Sequence, residues 1–178
     1  MQLRSIALLL VIGAAGCAST SAPPLSPYAG QDAREIKSLS AEEVQGLLAG
    51  KGLGYAKPAE LNGYPGPLHV LEIAERLELT AEQRHRTEQL FAAMQARAKE
   101  EGRALVEAER GLDRLFATRA ADPVSVTKSL ARIGDIQARV RAAHLEAHLA
   151  QAAILTPEQV AKYALIRGYG PEAHSHRH

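Results

Sequence analysis

The spacing of apolar and polar positions predicts a chain that is helical over most of its length. From His69 onward, apolar side chains recur at steps of three and four residues, which places them on one face of an α-helix. Segment 68–78, for example, aligns Val70, Ile73, Ala74 and Leu77 in this way. No stretch of useful length alternates with the period of two that predicts a β-strand. The expected fold class is therefore all-α.

Two long helices are predicted on either side of residues 120–123. The first should begin at Thr80 and stop before Asp122-Pro123, because a residue that precedes proline is pushed out of the α region. Asp122 then caps the second helix, with Pro123 at its first position. Since the connection is short, the helices should pack as an antiparallel hairpin roughly 50–60 Å long. The predicted stripes are Phe91, Met94, Ala98, Gly102, Leu105, Ala108, Leu112 and Leu115 in the first helix, and Val126, Leu130, Ile133, Gln137, Val140, His144 and Ala147 in the second.

Shorter helices are predicted to flank the hairpin at 41–49, 68–78 and 157–167. Residues 51–67 are rich in Gly and Pro and predict a loop with at most one helical turn. Two long helices alone make a thin core. We therefore expect the shorter helices to pack on the hairpin and the protein to form a homodimer.

The N-terminus has the pattern of an export signal. Arg4 precedes an apolar run at 6–12, and small residues follow as far as Gly16. The run is too short to cross a bilayer, which takes about 20 residues. The segment 14–17 resembles a bacterial lipoprotein box, although Ala14 stands where Leu is commoner. The resemblance implies that Cys17 carries lipid; the alternative is an ordinary signal peptide with a stray cysteine.

These patterns divide the chain into four parts. Residues 1–16 are predicted to be the signal peptide, and residues 17–31, rich in Pro, Ser and Ala, a lipidated flexible tether. Residues 32–168 form the helical domain, with the core hairpin at 67–168, and residues 169–178 a histidine-containing tail. Ala18, rather than Asp, follows the cysteine, which by the same resemblance implies the outer membrane. The expected location is periplasmic and lipid-anchored.

Charge and motif content exclude several classes of function. The chain has 21 Lys and Arg against 20 Asp and Glu, and removal of Arg4 with the signal leaves 20 of each. A neutral chain gives no electrostatic basis for binding nucleic acid, and membrane contact is expected through the lipid anchor only. With one cysteine, no serine elbow, no phosphate-binding glycine loop and no H-E-x-x-H, the sequence predicts no enzyme activity and requires no cofactor.

Two copies of a five-residue motif stand at helix starts, "LTAEQ" at 79–83 and "LTPEQ" at 155–159. In each, Thr (Thr80, Thr156) should cap the helix while Gln (Gln83, Gln159) reaches back to the cap residue. Folding the hairpin about residues 121–122 brings position 80 near position 163. Both motifs should therefore lie at the same end of the hairpin.

A long α-hairpin with paired Leu-Thr-x-x-Gln motifs after an export signal resembles the Spy/CpxP family of periplasmic stress proteins. The heavy-metal-responsive periplasmic proteins are similar in outline. The resemblance covers about residues 67–168 and implies a helical dimer that binds misfolded envelope proteins without ATP. The metal-responsive members imply an alternative, a heavy-metal sensor or metal-binding resistance protein. A structural envelope lipoprotein is the third hypothesis.

Two histidines, His144 and His148, are the main candidates for metal binding. They lie one helical turn apart, and neutral imidazoles at this spacing can share Zn²⁺, Cu²⁺ or Ni²⁺. Met94 across the hairpin, and His69 with Glu72 if their helix folds back, would complete the ligand set. In the metal-responsive relatives, a His-x-x-x-His or His-x-x-x-Met pair before the second motif supplies ligands. In the structural alternative, His144 fills the seam with one nitrogen bonded and His148 is solvated.

The remaining histidines are weaker candidates. His174, His176 and His178 alternate in the tail, where they would chelate a metal weakly because ordering the tail costs entropy. His85 stands between two arginines and is expected to face solvent.

Overall fold

The computed structural model describes residues 26–169. The predicted signal peptide, Cys17 and the tail histidines lie outside the described residues. Residues 26–30 belong to a separate unit and form a turn, in which the Ala29 N–H donates to the Ser26 carbonyl at 2.9 Å. No helix within 26–169 is long and apolar enough to cross a membrane.

Six helices and no strands form the described part of the chain, which confirms the all-α prediction. They are α1 Ala41–Leu48, α2 Lys57–Glu60, α3 Pro67–Glu72, α4 Ala81–Ala117, α5 Pro123–Ala152 and α6 Pro157–Arg167. The long helices α4 and α5 pack together as the predicted hairpin. Its direction is antiparallel, because Arg97 pairs with Glu146 whereas Glu101, further along α4, pairs with the earlier Arg139. Helix α1 packs on α4, and α3 packs on both long helices. The homodimer stays a prediction.

The helix predicted at 68–78 was too long. Helix α3 ends at Glu72, and turns follow up to Glu78, which has a left-handed φ of 55°. The predicted apolar face is nevertheless buried at Val70, Ala74 and Leu77. Burial can thus be achieved by turns as well as by a helix, and the reversal at Glu78 leads into the extended Thr80 that starts α4.

The stripe predicted for α5 was wrong at two positions. Gln137 is exposed and Ile136 is buried in its place, while Leu130 is 53 % exposed. Successive residues on a helix differ by about 100°, so the register that turns Ile136 into the seam turns Gln137 away from it. Ile133 and Val140 are buried as predicted.

The buried apolar side chains form two clusters. The first joins α1, α4 and α5, and the second joins α3 and the turns after it to α6. Along the chain, His144 and His148 lie after the last member of the first cluster and before Leu155 of the second. The first cluster contains Ile36, Leu47, Leu105, Val106, Ile133, Ile136 and Val140, and the second Val70, Leu77, Leu155 and Tyr163.

The two Leu-Thr-x-x-Gln motifs form capping boxes and also bond to each other. The Thr80 hydroxyl accepts the Gln83 N–H at 3.1 Å, and the Thr156 hydroxyl accepts the Gln159 N–H at 3.2 Å. Each glutamine oxygen accepts its cap N–H in return. The side-chain amides of Gln83 and Gln159 exchange two hydrogen bonds, at 2.7 and 3.1 Å. The motif therefore joins the starts of α4 and α6 as well as capping them.

Removing one threonine cap should have a small effect on stability. We expect Thr80→Ala to lower the free energy of unfolding by about 1 kcal/mol, because one helix N–H loses its acceptor. For a domain of this size the melting temperature should fall by roughly 2–4 °C. Thermal unfolding followed by circular dichroism measures the change, and Thr156→Ala serves as the parallel variant. Unchanged stability together with lost metal binding would mean that the motif is a functional surface.

Candidate metal site

A cavity of about 320 Å³ brings together α5, α4, the α2–α3 segment and the end of α6. Three histidines, one methionine and four charged or phenolic groups from four different segments contribute to its wall. The side chains of chemical interest that line it are Lys57, Glu60, His69, Met94, His144, His148, Arg167 and Tyr169. His144, His148, His69 and Met94, predicted from the sequence as metal ligands, thus lie at one cavity. Their role as ligands stays a prediction.

His148 is buried and oriented by a backbone hydrogen bond. It is 7 % exposed, and its Nδ1 lies 2.7 Å from the carbonyl oxygen of Tyr64. A carbonyl can only accept, so Nδ1 carries the proton, and in the neutral ring Nε2 keeps its lone pair. In the structural alternative His148 was expected to be solvated. That expectation was wrong, because the 60–66 segment covers the ring. This arrangement is typical of metal-binding histidines.

His144 is buried without a hydrogen bond at Nε2. The residue is 4 % exposed, and no residue from 26 to 169 bonds to this nitrogen. Burial, and secondarily the neighbouring His148, lowers the pKa of His144 below its usual 6.5. The imidazole is therefore neutral at pH 7, with a lone pair available. The hydrogen bond that the structural alternative expected at one nitrogen of His144 is not found at Nε2 among the described residues, and the alternative itself stays untested.

Glu60 connects His148 to α6. Its Oε1 accepts the hydroxyls of Tyr163 at 2.5 Å and Tyr169 at 3.0 Å, and its Oε2 accepts the Gly66 N–H at 3.2 Å. Oε2 also lies 3.7 Å from His148 Nδ1. Burial and then the Glu60 carboxylate raise the pKa of Tyr163 above its usual range, so the phenol remains a donor. Glu60 thus acts as a positioning residue behind His148 rather than as a free ligand.

Gly66 keeps the space in front of His148 open. A Cβ built on Gly66 would lie 3.0 Å from His148 Nε2 and 2.9 Å from Cε1. Any side chain here would crowd the nitrogen that retains its lone pair. The orphaned nitrogen of His144 and this glycine both fit a site that accepts a small ion.

The other two predicted ligands, His69 and Glu72, differ in their position relative to the cavity. His69 lines the cavity and Glu72 does not; the carboxylate of Glu72 contacts His69 Nδ1 at 2.8 Å. Within residues 26–169, no three side chains of the His, Cys, Asp and Glu types are grouped closely enough to hold a metal ion. His85 is exposed as predicted.

Sequence analysis missed Glu60, Tyr64, Gly66 and Arg167. The first three lie in or beside the Gly- and Pro-rich stretch that was predicted only as a loop. No periodic pattern marks them, since they meet α5 through contacts between residues 84 positions apart, such as that of Tyr64 with His148. A Gly between two prolines at 65–67 is the one local sign of a fixed backbone in this stretch.

Comparison with known proteins identifies one family. A family model described as heavy-metal resistance matches residues 6–162. No curated protein and no solved structure matches the chain. The family match supports the alternative based on heavy metals rather than the binding of misfolded proteins. It also agrees with the resemblance seen in the paired Leu-Thr-x-x-Gln motifs. Most of the chain is covered, and the protein therefore belongs to the heavy-metal resistance family.

Proposed function

We propose that this protein binds a heavy-metal ion in the histidine cavity and acts as a metal-binding resistance protein of the cell envelope. The observation that carries the proposal is the pair His144 and His148. Both rings are buried at one cavity, and neither Nε2 has a hydrogen-bond partner among residues 26–169. Buried polar atoms are nearly always satisfied, so the buried His144 Nε2 without a partner among these residues calls for an explanation. A metal ion would satisfy it and would also use the lone pair of His148 Nε2.

The surroundings prepare the two imidazoles for this role. The lowered pKa of His144 reduces competition from protons, since a metal binds only the neutral ring. The Tyr64 carbonyl fixes the tautomer of His148 that presents Nε2. The protein would bind and buffer or sense the ion rather than catalyse a reaction. The predicted export signal and the predicted lipid attachment at Cys17 support a location in the periplasm, next to the membrane that would carry the anchor.

Metal titration calorimetry tests the proposal. All variants carry Cys17→Ser together with His174→Asn, His176→Asn and His178→Asn, so that neither the thiol nor the tail binds metal. In this background, His144→Gln with His148→Gln should weaken binding about 100-fold or more, because losing even an outer partner of a metal ligand costs 10–100-fold. His85→Gln, at an exposed position, is the matched control and should leave the affinity unchanged.

A second variant tests the same site with both histidines in place, so that loss of binding can be separated from misfolding of the double variant. Gly66→Ala keeps both imidazoles but places a methyl group against His148 Nε2, and it too should weaken binding. Gly134→Ala, where a Cβ meets nothing within 4 Å, is its control. Equal metal affinity in the unsubstituted cavity and in both sets of cavity variants would refute the proposal.

A further inference from the structure

The oxygen donors near the cavity are already committed. Glu60 accepts two phenols and one backbone N–H, and its remaining side faces His148. The carboxylate of Glu72 is engaged by His69. Hard cations such as Mg²⁺ and Ca²⁺ depend on oxygen ligands, and Zn²⁺ sites use at least three protein donors. The cavity offers neither arrangement among the described residues.

Three imidazoles and one thioether line the cavity, but His69 is not grouped with His144 and His148 closely enough to share an ion with them. The donors that remain are two imidazole nitrogens and one thioether. His144 and His148 supply the nitrogens, and Met94, on α4, supplies the sulfur. None of the three donors is an anionic ligand, and thioether sulfur is a soft ligand that selects soft ions such as Cu⁺. A set of two nitrogens and one sulfur also suits an ion that accepts few ligands.

The positive charge around the cavity also favours a monovalent ion over a divalent one. Lys57 and Arg167 line it with one opposing carboxylate, that of Glu60, which lies 3.8 Å from Arg167. Lys57 makes no ion pair with a residue from 26 to 169, so the lining carries an uncompensated positive charge. Repulsion from this charge scales with the charge of the bound ion. A monovalent ion therefore meets half the repulsion of a divalent one at the same place.

We propose that the cavity selects a soft monovalent metal ion, Cu⁺ or its analogue Ag⁺, over Zn²⁺ and Ni²⁺, with Met94 as the third ligand beside His144 and His148. The inference rests on the proposed binding of metal in the same cavity. It adds the charge and softness of the ion to the ligand role that the sequence predicted for Met94.

The chain allows a direct test, because Met94 and Met1 are its only methionines. The protein is labelled with methyl-¹³C methionine in the Cys17→Ser background that also lacks the tail histidines. Silver nitrate is then added in chloride-free buffer. One equivalent of Ag⁺ should shift the Met94 methyl resonance and leave that of Met1 in place. Zn²⁺, which is diamagnetic and would be held by the histidines alone, should move the Met94 methyl resonance far less than Ag⁺ does.

Affinity measurements separate the role of the sulfur from that of the nitrogens. Met94→Leu, which retains the volume, should weaken Ag⁺ binding about tenfold or more, while Zn²⁺ binding changes by less than about twofold. His144→Gln with His148→Gln should weaken both. Melting temperatures without metal show that each variant is folded.

The outcomes distinguish the inference from the proposed function. If Zn²⁺ or Ni²⁺ binds more tightly than Ag⁺, or if Ag⁺ leaves the Met94 methyl unshifted, the choice of ion is wrong although the cavity binds metal. If the histidine substitutions weaken no metal, the proposed function fails as well. Tight Ag⁺ binding lost in Met94→Leu supports both.

Discussion

Replacing Gly102 with alanine is expected to lower the free energy of unfolding by about 2–3 kcal/mol, the upper part of the range of about 1–3 kcal/mol for overpacking. A Cβ at this position would lie 2.8 Å from the Leu47 carbonyl carbon and closer still to its oxygen. The obstructing atoms belong to the backbone of α1, so no side chain can rotate to make room. The clash outweighs the gain of about 1 kcal/mol in helix propensity that alanine brings. Urea unfolding followed by circular dichroism measures the difference.

Two other helical glycines provide matched controls. Gly111 in α4 and Gly134 in α5 are exposed, and a Cβ on either meets nothing within 4 Å. Alanine at these positions should stabilise the protein by about 0.5–1 kcal/mol through helix propensity alone. Opposite signs at Gly102 and the controls are the expected result. A neutral or stabilising Gly102→Ala would show that α1 does not pack this closely on α4.

Gly102→Ala should also weaken metal binding at the cavity. Gly52, in the loop that follows α1, lies beside His144, with its built Cβ 3.7 Å from Nδ1. Displacing α1 moves this wall away from the imidazole. Metal affinity should therefore fall in Gly102→Ala and remain unchanged in Gly111→Ala.

Gln83 and Gln159 should be energetically coupled. Gln83→Ala removes two hydrogen bonds to the other glutamine and leaves the Ile154 carbonyl and the Thr80 N–H without their partner. At about 0.5–1.5 kcal/mol for each bond, and because the group is half-buried, we expect a loss of about 2 kcal/mol. Gln159→Ala should cost a similar amount, since it also frees the Leu77 carbonyl.

A double-mutant cycle measures the coupling. The double variant should be destabilised by about 1 kcal/mol less than the sum of the single variants, because the shared bonds can be lost only once. Gln89→Ala, at an exposed position of α4, is the control and should change stability by less than about 0.5 kcal/mol. Additive losses within about 0.5 kcal/mol would mean that the motifs act as two independent caps.

Local signals predicted most of the hairpin. The starts of α4 and α5 follow from Thr80, Asp122 and Pro123, whose effects depend on residues within one turn. The failures occurred where local patterns were ambiguous. In segment 68–78 the apolar spacing fitted a helix, yet the chain turns after Glu72, and the turns bury the same side chains. At Gln137 a stripe with steps of three and four had two possible continuations, and packing selected Ile136.

The candidate site likewise has a part that the sequence predicted and a part that it did not. The sequence by itself determined that His144 and His148 share a face of one helix, because helix geometry fixes the positions of residues four apart. It also determined, through the antiparallel hairpin, that Met94 lies across from them. These relations depend on one helix, or on two helices joined by a short loop.

Only the tertiary structure decided what surrounds the histidines. The Tyr64 carbonyl that orients His148, the Glu60 carboxylate behind it and the glycine in front of it come from a stretch without periodicity. Their positions depend on how α2 and α3 pack on α5, and no local rule specifies that contact. The same holds for the bonded pair of Gln83 and Gln159: each capping box is encoded within five residues, but their union depends on the angle at which α6 returns to α4. Local sequence determines helix caps and the faces that residues share within one helix, because these depend on neighbours along the chain. Contacts between distant segments depend on the packing of the whole domain.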